Sequence, residues 1–273
     1  MKNEIVNDLQ NNKNMILAID MGNTNIVIGC INDQKVCFEE RLSTDSSKTE
    51  LEYAIGFKTV LELNNINSSD IKGAIISSVV PSLVNTIKSA IEKIIGVIPL
   101  IVGPGLKTGL NILIDNPKEL GSDLVVDAVA AIKEYGAPLI IIDVGTATTI
   151  SVIDDKKNYI GGAILPGVKV SLDSLVSRTA QLPRISLEPP KNVIGKNTID
   201  CMKSGIIYGN VSCIDGMIEK IESEVGHSMT TVATGGLAKI IVPLCKKNII
   251  LDNELLLKGL KIIYDKNVDE EKR

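Results

Sequence analysis

Ile16-Leu-Ala-Ile-Asp20-Met-Gly22-Asn23-Thr24-Asn25-Ile-Val-Ile-Gly29-Cys-Ile31 sets two apolar runs about a turn that holds one carboxylate, one glycine and three small hydrogen-bonding side chains. The runs are rich in Ile and Val, of strand length, and bounded by turn residues, which predicts a β-hairpin. The pattern returns as Leu139-Ile-Ile-Ile-Asp143-Val-Gly145-Thr146-Ala-Thr148-Thr149-Ile-Ser-Val-Ile153. Asp20 and Asp143 lie 123 residues apart, and each has a glycine two positions on. A chain built as two similar halves, each opening on Asp-x-Gly, follows from that repeat.

An aspartate closing a strand is costly if buried alone, so it calls for a cation, water or a donor. The glycine lets the backbone come close to a ligand. Asn23, Thr24 and Asn25, like Thr146, Thr148 and Thr149, supply donors and oxygens without bulk. Turn amides aimed into one space make a concavity suited to phosphate oxygens. One such turn alone reads as an ordinary hairpin. Two in corresponding places favour phosphate binding.

Composition narrows the classes. The chain has 273 residues, 44% apolar but only 3% aromatic, so its cores are built from Ile, Val and Leu. Net charge is −4 and the pI about 5.3. With no basic tract and few rings to stack on bases, nucleic acid is not expected as a partner. Cys30, Cys37, Cys201, Cys213 and Cys245 show no Cys-x-x-Cys spacing, and His227 is the single histidine. Zinc and a disulfide framework are therefore not expected, and reduced thiols in a cytoplasmic protein are. No apolar run reaches the roughly 18 residues that span a bilayer, and the polar, Asn-rich start is unlike a signal peptide.

Residues 1–14 read as a disordered extension ahead of the first strand. Beyond the hairpin, the pattern predicts a third strand at 35–41, a helix at 48–63, a strand at 74–80, a helix at 82–95 and a strand at 97–102. Gly103-Pro-Gly-Leu-Lys107-Thr-Gly109 is a loop by composition. It lacks the Gly-x4-Gly-Lys-Ser/Thr spacing of a P-loop, and no Gly-x-Gly-x-x-Gly opens a helix. Asn116-Pro-Lys-Glu-Leu-Gly121-Ser122-Asp123 leads into a buried helix at 124–135 with Ser122 as N-cap. The second half repeats the order loosely. Strands are expected at 139–143, 148–153 and 159–165, then a helix from Thr198, a strand at 229–234, a helix from Leu237, a strand at 248–251 and a last helix from Glu254. Residues 166–197, with four prolines, form an insertion. The domains are expected as 15–136 and 137–266, with a charged tail at 267–273.

The paired Asp-Met-Gly-Asn-Thr-Asn and Asp-Val-Gly-Thr-Ala-Thr-Thr resemble the two phosphate motifs of the acetate kinase, sugar kinase, Hsp70 and actin superfamily. Within it, residues 15–266 are most similar to the type III pantothenate kinases. The resemblance implies an α/β fold of two duplicated actin-like (ribonuclease H-like) domains with ATP in the interdomain cleft. The implied reaction is phosphorylation of pantothenate to 4′-phosphopantothenate, the entry to coenzyme A synthesis, by a homodimer. A kinase for another small hydroxylated metabolite, or a non-catalytic regulator on the same scaffold, is the alternative.

The resemblance also assigns residues. Asp20, Met21, Gly22, Asn23, Thr24, Asn25, Ile26 and Val27 match the first ATP-phosphate loop, with Asp20 helping to place Mg²⁺ through water. Thr146 matches a phosphate contact, and Asp143 the ligand of a monovalent cation, K⁺ or NH₄⁺. Gly121, Ser122, Asp123 and Leu124 match the motif that carries the catalytic Asp and meets pantothenate; Leu124 stands where that motif usually has arginine. Asp123 would orient and deprotonate the attacking hydroxyl, although an acid in a first helical turn also serves the macrodipole. Thr198 matches a pantothenate contact, with Cys201 where serine is more usual; a helix cap is the plainer reading of Gly195-Lys-Asn-Thr198. Thr234-Gly235-Gly236 resembles the superfamily's adenosine loop.

Overall fold

The computed structural model describes residues 15–33 and 35–268; the extension at 1–14 and the tail at 269–273 lie outside them. The chain divides into two compact units, each holding one mixed sheet.

In the first unit, strands β1 (Met15–Met21), β2 (Asn25–Ile31), β3 (Val36–Ser43), β4 (Ile71–Ser78) and β5 (Leu100–Ile101) lie in the order β3-β2-β1-β4-β5. β1 runs antiparallel to β2 and parallel to β4. Alternation along β1 buries both its faces. Met15, Leu17, Ile19 and Met21 join a core with Tyr53, Phe57, Ile87 and Ile91 of helices α1 (Glu50–Leu63) and α2 (Val84–Ile95). α1 opens on a capping box, Thr49 Oγ1 accepting from Glu52 N while Glu52 Oε2 accepts from Thr49 N. The other face of β1 is small: Ala18 pairs with Gly29, and Ile16 with Gly73. A Cβ on Gly29 would sit 2.7 Å from Leu257, and one on Gly73 would overlap Tyr264. Those glycines let helix α7 (Leu255–Val268) lie close against the strands.

The second unit repeats the plan. Strands β7 (Leu139–Val144), β8 (Ala147–Ile153), β9 (Asn158–Pro166), β10 (Thr230–Thr234) and β11 (Ile249–Leu251) take the order β11-β10-β7-β8-β9, with β6 (Asn111–Ile112) added on the outer edge. Ile140, Ile142, Val144, Ile150 and Val152 pack against helices α4 (Val168–Ser177) and α5 (Thr198–Val225). Helix α3 (Ser122–Tyr135) lies between β6 and β7 in sequence, and the short α6 (Ala238–Ile241) joins β10 to β11. Two sheets of one topology, each with a central strand ending in Asp-x-Gly, are the two similar halves the repeat predicts, in the duplicated α/β plan that the resemblance to the actin-like superfamily implies.

Four differences from the sequence reading have physical reasons. The strand expected at 97–102 forms over Leu100–Ile101, since Pro99 has no N–H to give the ladder. β6 is a two-residue strand from a loop-like segment. The insertion contains α4, a helix between Gly167 and the first of its later prolines. α7 runs through Asn267, expected in the tail, because the Asn267 amide clamps both N and O of Lys107. The units also do not change over at 136/137. Residues 110–115 and 131–253 make the second, while 116–130 and 254–268 fall in the first, where Gly259 of α7 lies against the Val126 carbonyl of α3.

Candidate active site

Asp20 and Asp143 hold equivalent places. Asp20 pairs with Val27 on one side and Ser77 on the other; Asp143 pairs with Thr149 and Thr234. Each half-buried carboxylate thus ends a central strand between two neighbours. The first turn is closed by Gly22 N donating to Asn25 O at 3.0 Å, the tighter second one by Gly145 N donating to Ala147 O at 3.0 Å. Asn23, Thr24 and Asn25 are exposed beyond buried Ile26, as is Thr146. Thr44, after β3, fastens the first turn by donating Oγ1 to Gly22 O at 2.7 Å and N to Thr24 O at 3.0 Å.

Asp123 belongs to the same edge of the first unit as Asp20. Ser122 does not cap α3 as expected: it is the first helical residue, and its hydroxyl lies 3.0 Å from Ser77 Oγ, Ser78 N and Ser78 O. The start of α3 is thereby bolted to the end of β4, and Ser77 is the cross-strand partner of Asp20. Asp123 folds back, Oδ1 accepting from Leu124 N at 2.9 Å. Gly121 makes room, for a Cβ there would meet Asp123 Oδ1 at 2.4 Å. Burial pushes the Asp123 carboxyl above its ordinary range, against the pull of that N–H.

In the second unit, small residues line the Asp143 turn. A Cβ on Gly235 would stand 2.2 Å from Asp143 Oδ1, and one on Gly167 2.2 Å from Thr146 O. Leu237 N donates to Val144 O at 3.2 Å, so the Gly235-Gly236 turn wraps the end of β7. Asp143 stands between Thr149 and Thr234 in the sheet, and oxygen donors of this kind are the chemistry that suits a hard cation. Among the described residues no three His, Cys, Asp or Glu group into a metal cage. Mg²⁺ needs none when phosphates share it with one or two carboxylates, and Asp20, its Oδ1 shut away from solvent, fits that use.

Thr148, paired with Val144, points the other way, into the core. Its Oγ1 is buried without a hydrogen-bond partner among the described residues. An unsatisfied buried hydroxyl is a net cost. Thr148→Val is therefore expected to stabilise the protein by about 1 kcal/mol, read as a rise in Tm with activity retained.

Thr198 opens α5, capped not by itself but by Asn197, whose Oδ1 accepts from Asp200 N at 2.9 Å. A groove of about 680 Å³ lies over this helix start. Of the other assigned groups, His227 sits at the surface, Nε2 lying 3.4 Å from Asp155 Oδ2, and all five cysteines are free. The structure thus gathers Asp20–Val27 and Gly121–Leu124 in the first unit, and Asp143, Thr146 and Thr198 in the second. Ser77, Ser78 and Thr44 were not legible in advance, since their partners are distant in sequence.

A family model described as type III pantothenate kinase matches residues 16–220. The chain belongs to the type III pantothenate kinase family. Curated members of that name resemble it closely. One, from Bacillus cytotoxicus, is 46% identical over 93% of this chain and 97% of its own length. Another, from Halalkalibacterium halodurans, is 47% identical over 93% of this chain and 100% of its own length. Two solved structures share the fold. A Campylobacter jejuni protein given as a Baf family transcriptional activator has TM-score 0.57 at 21% identity, covering 93% of this chain and 100% of its own. Component A of the Acidaminococcus fermentans (R)-2-hydroxyglutaryl-CoA dehydratase has TM-score 0.54 at 15% identity, covering 96% and 100%. For this member of the type III pantothenate kinase family, the matched segment takes in both Asp-x-Gly turns, Asp123 and Thr198.

Proposed function

We propose that the protein transfers the γ-phosphoryl group of ATP to the primary hydroxyl of pantothenate, giving 4′-phosphopantothenate and ADP, the first step of coenzyme A biosynthesis. The observation that carries this reading is Asp123, bolted through Ser122 to the strand beside Asp20. A buried carboxylate of raised basicity, fixed next to a phosphate-type turn, suits a group that orients a hydroxyl for in-line attack and takes its proton. Positioning does most of the work in phosphoryl transfer. Met21, Gly22, Asn23, Thr24, Asn25, Ile26 and Val27 in one turn, with Thr146 in the other, would cradle the phosphates of ATP. Asp20 would hold Mg²⁺ through water, and Asp143 a monovalent cation; bound there, these ions offset the charge that builds on the phosphates. Gly121, Ser122, Leu124 and Thr198 would meet pantothenate. The same reading makes the protein a cytoplasmic homodimer without nucleic acid or membrane as partner. It is in keeping with the acidic pI; among the described residues no helix is long and apolar enough to cross a membrane.

The test is pantothenate-dependent ADP formation with Mg²⁺ and ATP in K⁺, NH₄⁺ or Na⁺ salts at constant ionic strength. Activity is expected in all three and highest in K⁺ or NH₄⁺, with Asp143→Ala flattening the difference. No ADP above the pantothenate-free blank would overturn the reaction, and equal wild-type rates in the three salts would overturn the cation site alone.

A further inference from the structure

Residues 44–49, Thr-Asp-Ser-Ser-Lys-Thr, join β3 to α1 without one apolar side chain to bury. Hydrogen bonds fix the segment instead. At its far end Thr49 caps α1. At its near end Thr44 makes two bonds to the first Asp-x-Gly turn, Oγ1 donating to Gly22 O at 2.7 Å and N to Thr24 O at 3.0 Å. Directly behind, one side chain grips the Asp45 backbone: Asp45 N donates to the Tyr53 hydroxyl at 2.9 Å, and that hydroxyl donates to Asp45 O at 2.8 Å. Asp45 Oδ1 in turn accepts from Ser47 N and Oγ. Tyr53 is only 1% exposed, its ring stacked on Phe57 in the core of the first unit, where close packing leaves it no room to turn. A line of bonds thus runs from the core through Tyr53 and Asp45 to Thr44 and the turn. It ends on a carbonyl. The Gly22–Asn23 peptide is trans, and in a planar trans peptide the C=O and the following N–H point opposite ways. Holding Gly22 O on the Thr44 side therefore aims the Asn23 N–H to the other side of the turn.

We propose that Thr44 and Tyr53 are positioning residues for nucleotide binding. The tyrosine hydroxyl fixes Asp45, Thr44 fixes the turn, and the turn amides are thereby set for the phosphates of a nucleoside triphosphate. This rests on the reading of the turn as a phosphate cradle, and it adds what keeps the cradle in shape. Donors already in place bind an anion best, because ordering them on binding costs affinity. Ordinary loop anchoring by the same bonds would support stability alone, and that difference makes the proposal separable.

The experiment titrates MgATP, with adenosine as the phosphate-free comparison, into the full-length wild type, Thr44→Val, Thr44→Ser, Tyr53→Phe and the Thr44→Val/Tyr53→Phe double variant by calorimetry. Tm and ADP formation are measured alongside. Valine keeps the shape of Thr44 and phenylalanine keeps the ring of Tyr53, so each change removes a hydroxyl alone. Thr44→Val is expected to weaken MgATP about fivefold, the scale of one hydrogen bond, to leave adenosine unchanged, and to raise the KM for ATP but not for pantothenate. Thr44→Ser, with the hydroxyl restored, should recover the MgATP affinity. Tyr53→Phe should weaken MgATP in the same sense, and the double variant should fall short of the product of the single effects, since one line carries both. An MgATP affinity unchanged in Thr44→Val, or a loss that Thr44→Ser does not recover, overturns the proposal. A lower Tm in Tyr53→Phe with MgATP affinity intact, or strictly multiplicative losses, overturns the part given to Tyr53. If MgATP affinity follows the Thr44 hydroxyl but no ADP forms, the positioning line stands and the kinase reading falls. If ADP forms with pantothenate and the KM for ATP ignores that hydroxyl, the reverse holds.

Discussion

Asp123→Asn is expected to lower kcat by about 10²–10⁴, or roughly 3–5 kcal/mol of barrier, in a protein that folds and binds ATP normally. The amide keeps an oxygen to accept from Leu124 N, the bond Asp123 now makes at 2.9 Å, so the start of α3 has no reason to move. The Ser122 bolt to β4 is untouched as well. What disappears is the capacity to take a proton. Were Asp123 only an acid serving the helix dipole, the change would cost about 1 kcal/mol of stability or less and spare turnover.

The direction of the Asp123 shift sharpens the test. Burial raises its carboxyl, so the folded state holds the proton more tightly than the unfolded chain does. Whatever stability this lends is complete below the unfolded pKa, about 3.9, and is lost as pH rises through the higher folded value. At neutral pH the buried charge works against folding, and neutral Asn should leave Tm unchanged or raise it. Catalysis needs the ionised form, so the acid limb of kcat against pH should lie above the ordinary carboxylate range. A normal kcat in Asp123→Asn, or a wild-type limb at the ordinary value, would make Asp123 a helix-start residue.

How much of this was legible beforehand depended on whether the signal was local. The Asp20 and Asp143 turns were readable because each is a short polar interruption between Ile-rich runs, a pattern complete within sixteen residues. Ser122 was placed correctly and its role was not. A serine ahead of an apolar helix reads as a cap, while the partner that claims its hydroxyl, Ser77, lies 45 positions away. β6 carries no periodic signal because it has two residues. The assignment of α7 to the first unit depends on Gly29 and Gly73 accepting Leu257 and Tyr264. A lone strand glycine announces a close approach but not what approaches.

Gly235→Ala is expected to lose about 3 kcal/mol of stability and more than about 100-fold in activity, the scale of an ångström misplacement at a reacting centre. Gly235 has φ +98°, a conformation that L side chains rarely adopt. Its added Cβ would stand 2.2 Å from Asp143 Oδ1 and 2.6 Å from Val144 N. The second contact is backbone of the central strand, which no rotamer change relieves. Either β7 or the Gly235 turn must shift, and Leu237 N gives up its bond to Val144 O if the turn moves. The Asp143 carboxylate moves in both cases, so the K⁺-over-Na⁺ preference should disappear together with turnover. Gly96→Ala is the control: Gly96 has φ +70° and nothing within 4 Å of an added Cβ, so it suffers backbone strain alone, about 1 kcal/mol. The two variants are to be compared by Tm and by ADP formation in K⁺ and Na⁺. Matching Tm losses, with cation preference intact in Gly235→Ala, would mean that the turn tolerates the methyl and that Asp143 is not held by the glycine beside it.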